Sequence, residues 1–185
     1  TTYAWSAPTE AGITGTTAGI AAASITGTLT NTTNSVIFVD YIVTPTSGFC
    51  AGATFTVSVT VYPTPLVVTQ TATICSGSNF TVSPANGANV VPLGTTYTWT
   101  VVDNPFILGE SNVSVAQAAI SQTLLNMVST VQSVVYTVTP SSGSCVGSPF
   151  TLTASVNALP VVVGITGASN VCAGSTTTLA SSTPS

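Results

Sequence analysis

The chain has 185 residues with no Lys, Arg or His and only four acidic residues, so its formal net charge is −4. Nucleic-acid binding is close to excluded, because contacts to phosphates need cations, and a basic lipid-binding patch is excluded on the same ground. Hydrophobic residues make up 44% of the sequence, so the chain can fold and lacks the composition of a disordered segment. No apolar run approaches the ~18 residues of a membrane span, so no membrane insertion is expected.

Residues 1–62 are predicted to be the C-terminal part of a repeat, because they match residues further along the chain. Trp5 matches Trp99 with an offset of 94, whereas Leu29 matches Leu124 with an offset of 95. One residue is therefore inserted in the later copy. The matches place the insertion in the part of the later copy that aligns with residues 16–24 of the earlier copy. A loop is expected there, and a loop would accept an extra residue at little cost.

A hairpin motif near the end of each copy shows the repeat most clearly. Residues 41–61 read YIVTPTSGFCAGATFTVSVTV and residues 136–156 read YTVTPSSGSCVGSPFTLTASV. The alternation and the Ser–Gly turn predict two strands joined by a tight turn. Pro140 is predicted to end the first of these strands, because proline has no N–H to give to a ladder.

Residues 66–157 are predicted to form one complete repeat of about 95 residues. Residues 116–126 resemble a helix in composition, but the matching residues 21–31 carry a glycine and three threonines. We therefore predict an extended segment with Ile120, Gln122 and Leu124 on one face. Seven or so short strands with regularly spaced turns are typical of an antiparallel sandwich.

The predicted fold is all-β, with tandem immunoglobulin-like sandwiches in a rod-like array. Residues 161–185 are predicted to open a further repeat, because Cys172-Ala-Gly echoes Cys75-Ser-Gly. The linkers at 62–65 and 157–160 contain prolines, which make them semi-rigid. The predicted core residues are aromatic and recur in both copies: Tyr3, Trp5, Tyr41, Phe55, Tyr97, Trp99, Tyr136 and Phe150.

The four cysteines are isolated, with no CxxC pair and no histidine to suggest zinc, and this usage fits an oxidising, extracellular setting. Cys75 is predicted to pair with Cys145, which would close a loop of about 70 residues and stabilise the repeat by ~4 kcal/mol. Trp99 would then lie against the bridge. Cys50 and Cys172 would pair outside this segment. A Cys50–Cys75 bond across the linker, or free buried thiols, are the alternatives.

Catalysis is not expected, because no His or Lys is present to act as a general base. Asp40 and Asp103 fall at unrelated repeat positions, and Glu10 and Glu110 are expected in variable loops. A calcium ion bound by Asp103, Glu110 and backbone carbonyls is the one cofactor considered, and otherwise no cofactor is predicted.

Several runs together resemble a known family. They are ICSGSNFTV (74–82), TYTWTVVDNP (96–105), ISQTLLN (120–126) and VVYTVTPSSGSCVGSPFTLTASVN (134–157). They look like the PKD-like, immunoglobulin-like repeats of very large Bacteroidota surface proteins, of which gliding-motility adhesins exported by the type IX pathway are the best known. The resemblance implies an extracellular, outer-membrane-associated stalk or filament that displays an adhesive region, and it implies no catalytic residues.

The predicted function is therefore a non-enzymatic stalk whose partners are neighbouring repeats and, further out, surface glycans or other cell-surface proteins. An alternative is a polysaccharide-binding module that uses the loops at 86–89 and 104–112. A further alternative is an accessory domain of a secreted enzyme.

Overall fold

A computed structural model describes residues 1–160, 164–167 and 170–181. All the regular elements in these ranges are strands, which confirms the all-β prediction. Within the same ranges there is no helix of the length and apolarity needed to cross a membrane. The strands group into two successive sandwich units, followed by one short hairpin.

The first repeat places one larger sheet against a small strand pair. β1, β3, β5, β6 and β7 form the larger sheet, and β2 pairs with β4. The strands are β1 (Thr2–Trp5), β2 (Ile13–Thr14), β3 (Gly19–Ala22), β4 (Thr30–Asn31), β5 (Ile37–Ser47), β6 (Cys50–Ala51) and β7 (Phe55–Val61).

The second repeat is a two-sheet sandwich. Its larger sheet has the order β12-β10-β14-β16-β8, with β15 beside β14, and the facing sheet has the order β11-β13-β9. The strands are β8 (Gln70–Cys75), β9 (Ser78–Val82), β10 (Thr96–Val101), β11 (Ile107–Leu108), β12 (Val113–Gln117), β13 (Ile120–Asn126), β14 (Gln132–Ser142), β15 (Cys145–Val146) and β16 (Phe150–Asn157). The hairpin β17 (Ile165–Thr166) and β18 (Ala180–Ser181) follows it.

The core of the second repeat comes from the period-two alternation of its strands. β13 buries every second residue from Ile120 to Asn126, which confirms that this segment is extended. β16 does the same from the facing sheet, with Leu152, Ala154 and Val156 fully buried. Apolar area removed from water on both inner faces is the main stabilising contribution to such a sandwich.

The first and last strands of the second repeat lie side by side and parallel. β8 pairs with β16 from Gln70 opposite Leu152 to Cys75 opposite Asn157. Residues 1–62 contain no counterpart of β8 and β9, so β7 pairs only with β5. Phe55 was predicted to lie in the core, but it is 44% exposed where its counterpart Phe150 is 6% exposed. The reason is that Phe150 belongs to a core cluster that includes Val67 and Phe80, and residues 1–62 contain no counterparts of these two side chains.

Pro140 does not end its strand, contrary to the prediction. It lies inside β14, opposite Tyr97, and its carbonyl accepts a hydrogen bond from the Gly147 N–H at 2.9 Å. Pairing on that side of β14 is interrupted between β15 and β16. Because the missing N–H faces this interruption, no ladder hydrogen bond is lost there.

The inserted residue lies in an edge strand instead of a loop. Trp5 pairs with Gly19 and Trp99 with Val113, which keeps the offset of 94. At the other end of each pairing, Tyr3 lies opposite Ala22 and Tyr97 opposite Gln117, so the offset between Ala22 and Gln117 is 95. Both ladders change register between the two ends. β12 therefore holds one more residue than β3 within an irregular stretch, which is how a β-bulge absorbs an insertion.

Candidate functional site

The aromatic residues predicted for the second core lie together in it. Tyr97, Trp99, Tyr136 and Phe150 are each at most 6% exposed. The rings of Tyr97 and Phe150 meet edge to face, with centroids 6.4 Å apart, a geometry that the ring quadrupoles favour. The core therefore consists of one closely packed aromatic and aliphatic cluster, without an open platform for a sugar ring.

The first repeat repeats this arrangement with less burial. Trp5 and Tyr41 are buried, and Tyr3 is half-buried. Tyr3 and Phe55 keep the edge-to-face contact, with centroids 6.3 Å apart. The recurrence of this pair indicates that the two repeats share one packing scheme.

A neutral hydrogen-bond network joins the two sheets of the second repeat. The Tyr136 hydroxyl donates to Gln122 Oε1 at 2.8 Å. Gln122 Nε2 donates to the Ser111 carbonyl at 2.8 Å and to Ser111 Oγ at 2.7 Å. Trp99 Nε1 donates to the same carbonyl at 3.1 Å. The network connects β14, β13 and β10 to the segment between β11 and β12, so it fixes the distance between the sheets.

Sequence reasoning missed this network, although Gln122 carried the signal. A polar residue at an inward position between Ile120 and Leu124 requires a buried partner. In the first repeat the Trp5 indole makes the equivalent bond to the Thr17 carbonyl at 2.8 Å. Gly27 stands at the position of Gln122, so this half of the network is specific to the second repeat.

Glu110 lies next to this network and fixes the neighbouring loop. Its Oε1 accepts the backbone N–H of Asn104 at 2.7 Å, while its buried Oε2 has no hydrogen-bond partner among the described residues. Burial raises the pKa of the Tyr136 phenol above its usual value, and the Glu110 carboxylate raises it further. Burial likewise raises the pKa of Tyr97.

The remaining carboxylates do not converge on a cation site. Glu10, Asp40 and Asp103 are exposed. Across the ranges that the structure describes, no three carboxylates, cysteines or histidines come together as metal ligands. Calcium binding therefore stays a sequence-based expectation, with no built site among these residues.

The structure overturns the predicted disulfide between Cys75 and Cys145. Cys75 lies opposite Asn157, whereas Cys145 lies opposite Ser142. These positions are the two ends of the repeat, and β14 takes about ten residues, or roughly 33 Å, to pass between them. A disulfide needs Cα atoms within about 7 Å. Both thiols are free, and Trp99 packs against other core residues instead of a bridge.

The alternatives considered for the cysteines also fail. Cys50 lies opposite Ser47, at the end of the first repeat that is remote from the linker, and Cys75 lies at the remote end of the second. They therefore cannot bond across the linker. The thiols are not buried either, because Cys50, Cys75 and Cys172 are exposed and Cys145 is half-buried.

A cleft lies between the two repeats. We call the end of a repeat where the linker enters, with Cys145, its leading end, and the end where the chain leaves, with Asn157 and Cys75, its trailing end. The trailing end of the first repeat and the leading end of the second enclose a cavity of about 650 Å³. Its lining residues are Asn34, Ser35, Val36, Tyr62, Pro63, Pro92, Leu93, Ser142, Gly143 and Ser144.

The linker residues are held within this junction. Pro63 and Pro65 are buried, and a Cβ atom at Gly147 would overlap the Pro65 carbonyl oxygen. Glycine is therefore required where the leading-end hairpin touches the linker.

Comparison with known families agrees with this geometry. Residues 1–65 and 72–160 match the sequence profile of the PKD-like domain. The chain belongs to the PKD-like domain family. The matched segments cover most of the chain and leave the gap at 66–71, just after the linker. PKD-like domains are structural, immunoglobulin-like and typically extracellular. Comparison with curated protein sequences gave no match.

We predict that Tyr136→Phe destabilises the second PKD-like repeat by about 0.5–1.5 kcal/mol, because Gln122 Oε1 would lose its short buried hydrogen bond and keep only the longer one from the Ser111 N–H at 3.3 Å. The measurement is urea unfolding followed by tryptophan fluorescence. Tyr41→Phe is the matched control, since Tyr41 occupies the same repeat position, Gly27 replaces its glutamine partner, and the change should alter stability by less than ~0.5 kcal/mol. Equal losses of unfolding free energy in the two variants would show that the Tyr136–Gln122 hydrogen bond does not stabilise the second repeat.

The raised pKa of Tyr136 predicts a loss of stability at alkaline pH. An unfolded tyrosine ionises near pH 10, whereas the folded phenol stays protonated, so the stabilisation is complete below pH 10 and declines as the pH rises above it. We expect the urea midpoint to fall above pH 10, and to fall less steeply in Tyr136→Phe. The same slope in both proteins would contradict the assignment.

Proposed function

We propose that the chain is a load-bearing stretch of the stalk of a large extracellular adhesin, which holds an adhesive region away from the cell. The observation that carries the proposal is the junction, where both prolines of the linker are buried. Proline fixes one backbone dihedral, and burial against the next repeat restricts the others. Such a junction favours transmission of direction and force along the array over free bending.

The strand order of the second repeat supports a role under tension. The chain enters at the start of β8 and leaves at the end of β16, and these strands are parallel neighbours. A pull on the two ends therefore slides β8 and β16 past each other along their length. The hydrogen bonds of the ladder bear such a load together, whereas a hairpin pulled open at one end breaks its bonds one after another.

The structure gives less support to a glycan-binding role for the asparagine-rich loops. Asn86 Oδ1 accepts the Val91 N–H at 2.7 Å, and Asn89 Oδ1 accepts the Val68 N–H at 2.9 Å. Asn104 and Asn112 likewise accept backbone N–H groups near their own loops. Their side-chain carbonyls are used to hold these loops in shape, and fewer of their polar groups are left for a sugar.

An enzymatic role has no support from the arrangement of the side chains. The sequence lacks the usual bases, and its carboxylates are dispersed. We therefore propose a non-enzymatic role, with neighbouring repeats as the immediate partners and with surface glycans or cell-surface proteins bound elsewhere in the parent protein. Attachment to the outer membrane, export by the type IX pathway and participation in gliding are the finer parts of the proposal, and they rest on the sequence resemblance.

The mechanical argument predicts that breaking the β8–β16 ladder weakens the second repeat under load. Ser76 donates its N–H to the Asn157 carbonyl, so by the alternation of the strand the N–H of Ala72 faces β16, whereas that of Thr73 faces away from it. Ala72→Pro should therefore lower the unfolding force of this repeat in single-molecule stretching from the two chain ends. Thr73→Pro, which removes a donor on the other side of β8, is the matched control and should unfold closer to the wild-type force. Equal forces for both variants would contradict a shear-loaded ladder.

The proposed function itself is tested by electron microscopy of the parent protein on and off the cell. We expect a long, thin, beaded filament that projects from the surface. A compact particle, or a large globular head directly next to these repeats, would contradict the stalk and would assign the repeats to a neighbouring enzyme or receptor.

A further inference from the structure

The complete repeat, residues 66–157, carries one cysteine at its trailing end and one at its leading end. The trailing-end cysteine belongs to the motif at Cys75, which recurs as Cys172, and the leading-end cysteine belongs to the hairpin at Cys145, which recurs as Cys50. The two types are too far apart to pair within a repeat. In a tandem array, however, every trailing end meets the leading end of the next repeat.

The position of the trailing-end cysteine is fixed by its neighbours. Cys75 lies opposite Asn157, and the next residue, Ser76, donates its N–H to the Asn157 carbonyl at 2.9 Å. Ser76 Oγ also accepts the N–H of Asn126 at 2.8 Å. Cys75 is therefore held beside the residue at which the chain leaves the repeat, with its side chain exposed.

The junction within this chain shows where a cysteine of this type would lie. Tyr62 is the counterpart of Asn157, at the offset of 95. If the first repeat had a counterpart of β8 that ended in a cysteine, as β8 ends in Cys75, that cysteine would lie beside Tyr62. The two residues would be at the spacing of neighbouring strands, about 4.8 Å. Tyr62 and Ser144 line the same cleft, and Cys145 is the residue after Ser144. The two cysteine types thus converge on one junction.

Packing of the linker against the second repeat limits how far the two ends can move apart. Pro65 contacts Gly147, two residues after Cys145, so closely that a side chain at Gly147 would not fit. Only two residues, Pro63 and Thr64, lie between Tyr62 and Pro65. The trailing end of one repeat therefore cannot move far from the leading-end hairpin of the next.

We propose that neighbouring repeats are joined by a disulfide across each junction, between the trailing-end cysteine of one repeat and the leading-end cysteine of the next. Cys75 would bond to the Cys145-type residue of a following repeat, and Cys145 to the Cys75-type residue of a preceding one. Two thiols and one small-molecule disulfide, such as oxidised glutathione, give one protein disulfide and two reduced thiol molecules, by way of a mixed disulfide. The bond would hold adjacent repeats together independently of the linker.

The test uses this chain with residues 66–160 duplicated in tandem, which raises the number of cysteines from four to six. The added repeat contains a complete sandwich with its own core. Its central junction then places Cys75 of the earlier copy opposite Cys145 of the later copy. After equilibration in a glutathione redox buffer, we expect one internal disulfide and four titratable thiols in the denatured monomer. Intact-mass spectrometry separates an internal disulfide, which loses two hydrogens, from glutathione adducts.

Matched variants then locate the bond. Cys75→Ser in the earlier copy should abolish the disulfide, whereas the same change in the later copy should leave it intact. Because Cys75 is exposed, neither change should affect folding, and circular dichroism checks this. The proposal is overturned if all six thiols remain free, if the two Cys75→Ser variants behave alike, or if the monomer of the original chain forms an internal disulfide.

Discussion

The parallel pairing of β8 with β16 is the constraint on which the rest of the repeat depends. It brings the first and last strands of one unit side by side, with β8 as the edge strand of the sheet and β16 next to it. Because the strands run in the same direction, entry and exit lie at opposite ends of the repeat. The first repeat, described without counterparts of residues 66–82, shows the consequence: Phe55 and Val57 are more exposed than their counterparts Phe150 and Leu152.

The second constraint is the absence of any cationic side chain. Without cationic partners, the buried polar side chains of the core use neutral hydrogen bonds, and the half-buried Glu110 is held by a backbone N–H. Asn126 donates to the Val156 carbonyl at 2.9 Å and accepts the Val128 N–H at 3.0 Å, and Asn31 makes the corresponding bond to the Val61 carbonyl at 2.9 Å. Such bonds cost less to desolvate than buried charges, and salt screens them little.

Much of the fold could be predicted from the sequence, because its signals are local. Alternation gave the inward residues of β13 and β16, and the recurring hairpin gave the length of the repeat. The errors concern position in three dimensions. The disulfide prediction assumed that Cys75 and Cys145 lie at the same end of the repeat. Whether they do depends on whether β8 runs parallel or antiparallel to β16, and the pairing is parallel. The prediction that Pro140 ends its strand was wrong because the pairing of β14 with β15 and β16 is interrupted at this residue, so its missing N–H costs no ladder hydrogen bond. The cleft depends on two repeats at once, so no pattern within one repeat could have revealed it.

Noncovalent contacts are many inside a repeat and few between repeats, so a covalent bond would add most stability at the ends of a repeat. Inside the second repeat, fourteen buried apolar residues and two facing sheets resist separation. At the junction, only residues 62–65 cross between the units, and the cleft there is lined largely by small, polar and proline residues. A bond within the core would add little to a unit already held together by its two facing sheets. A bond at the junction would act where burial contributes least, and in the proposed stalk the least stable contact would limit the force that the array can bear.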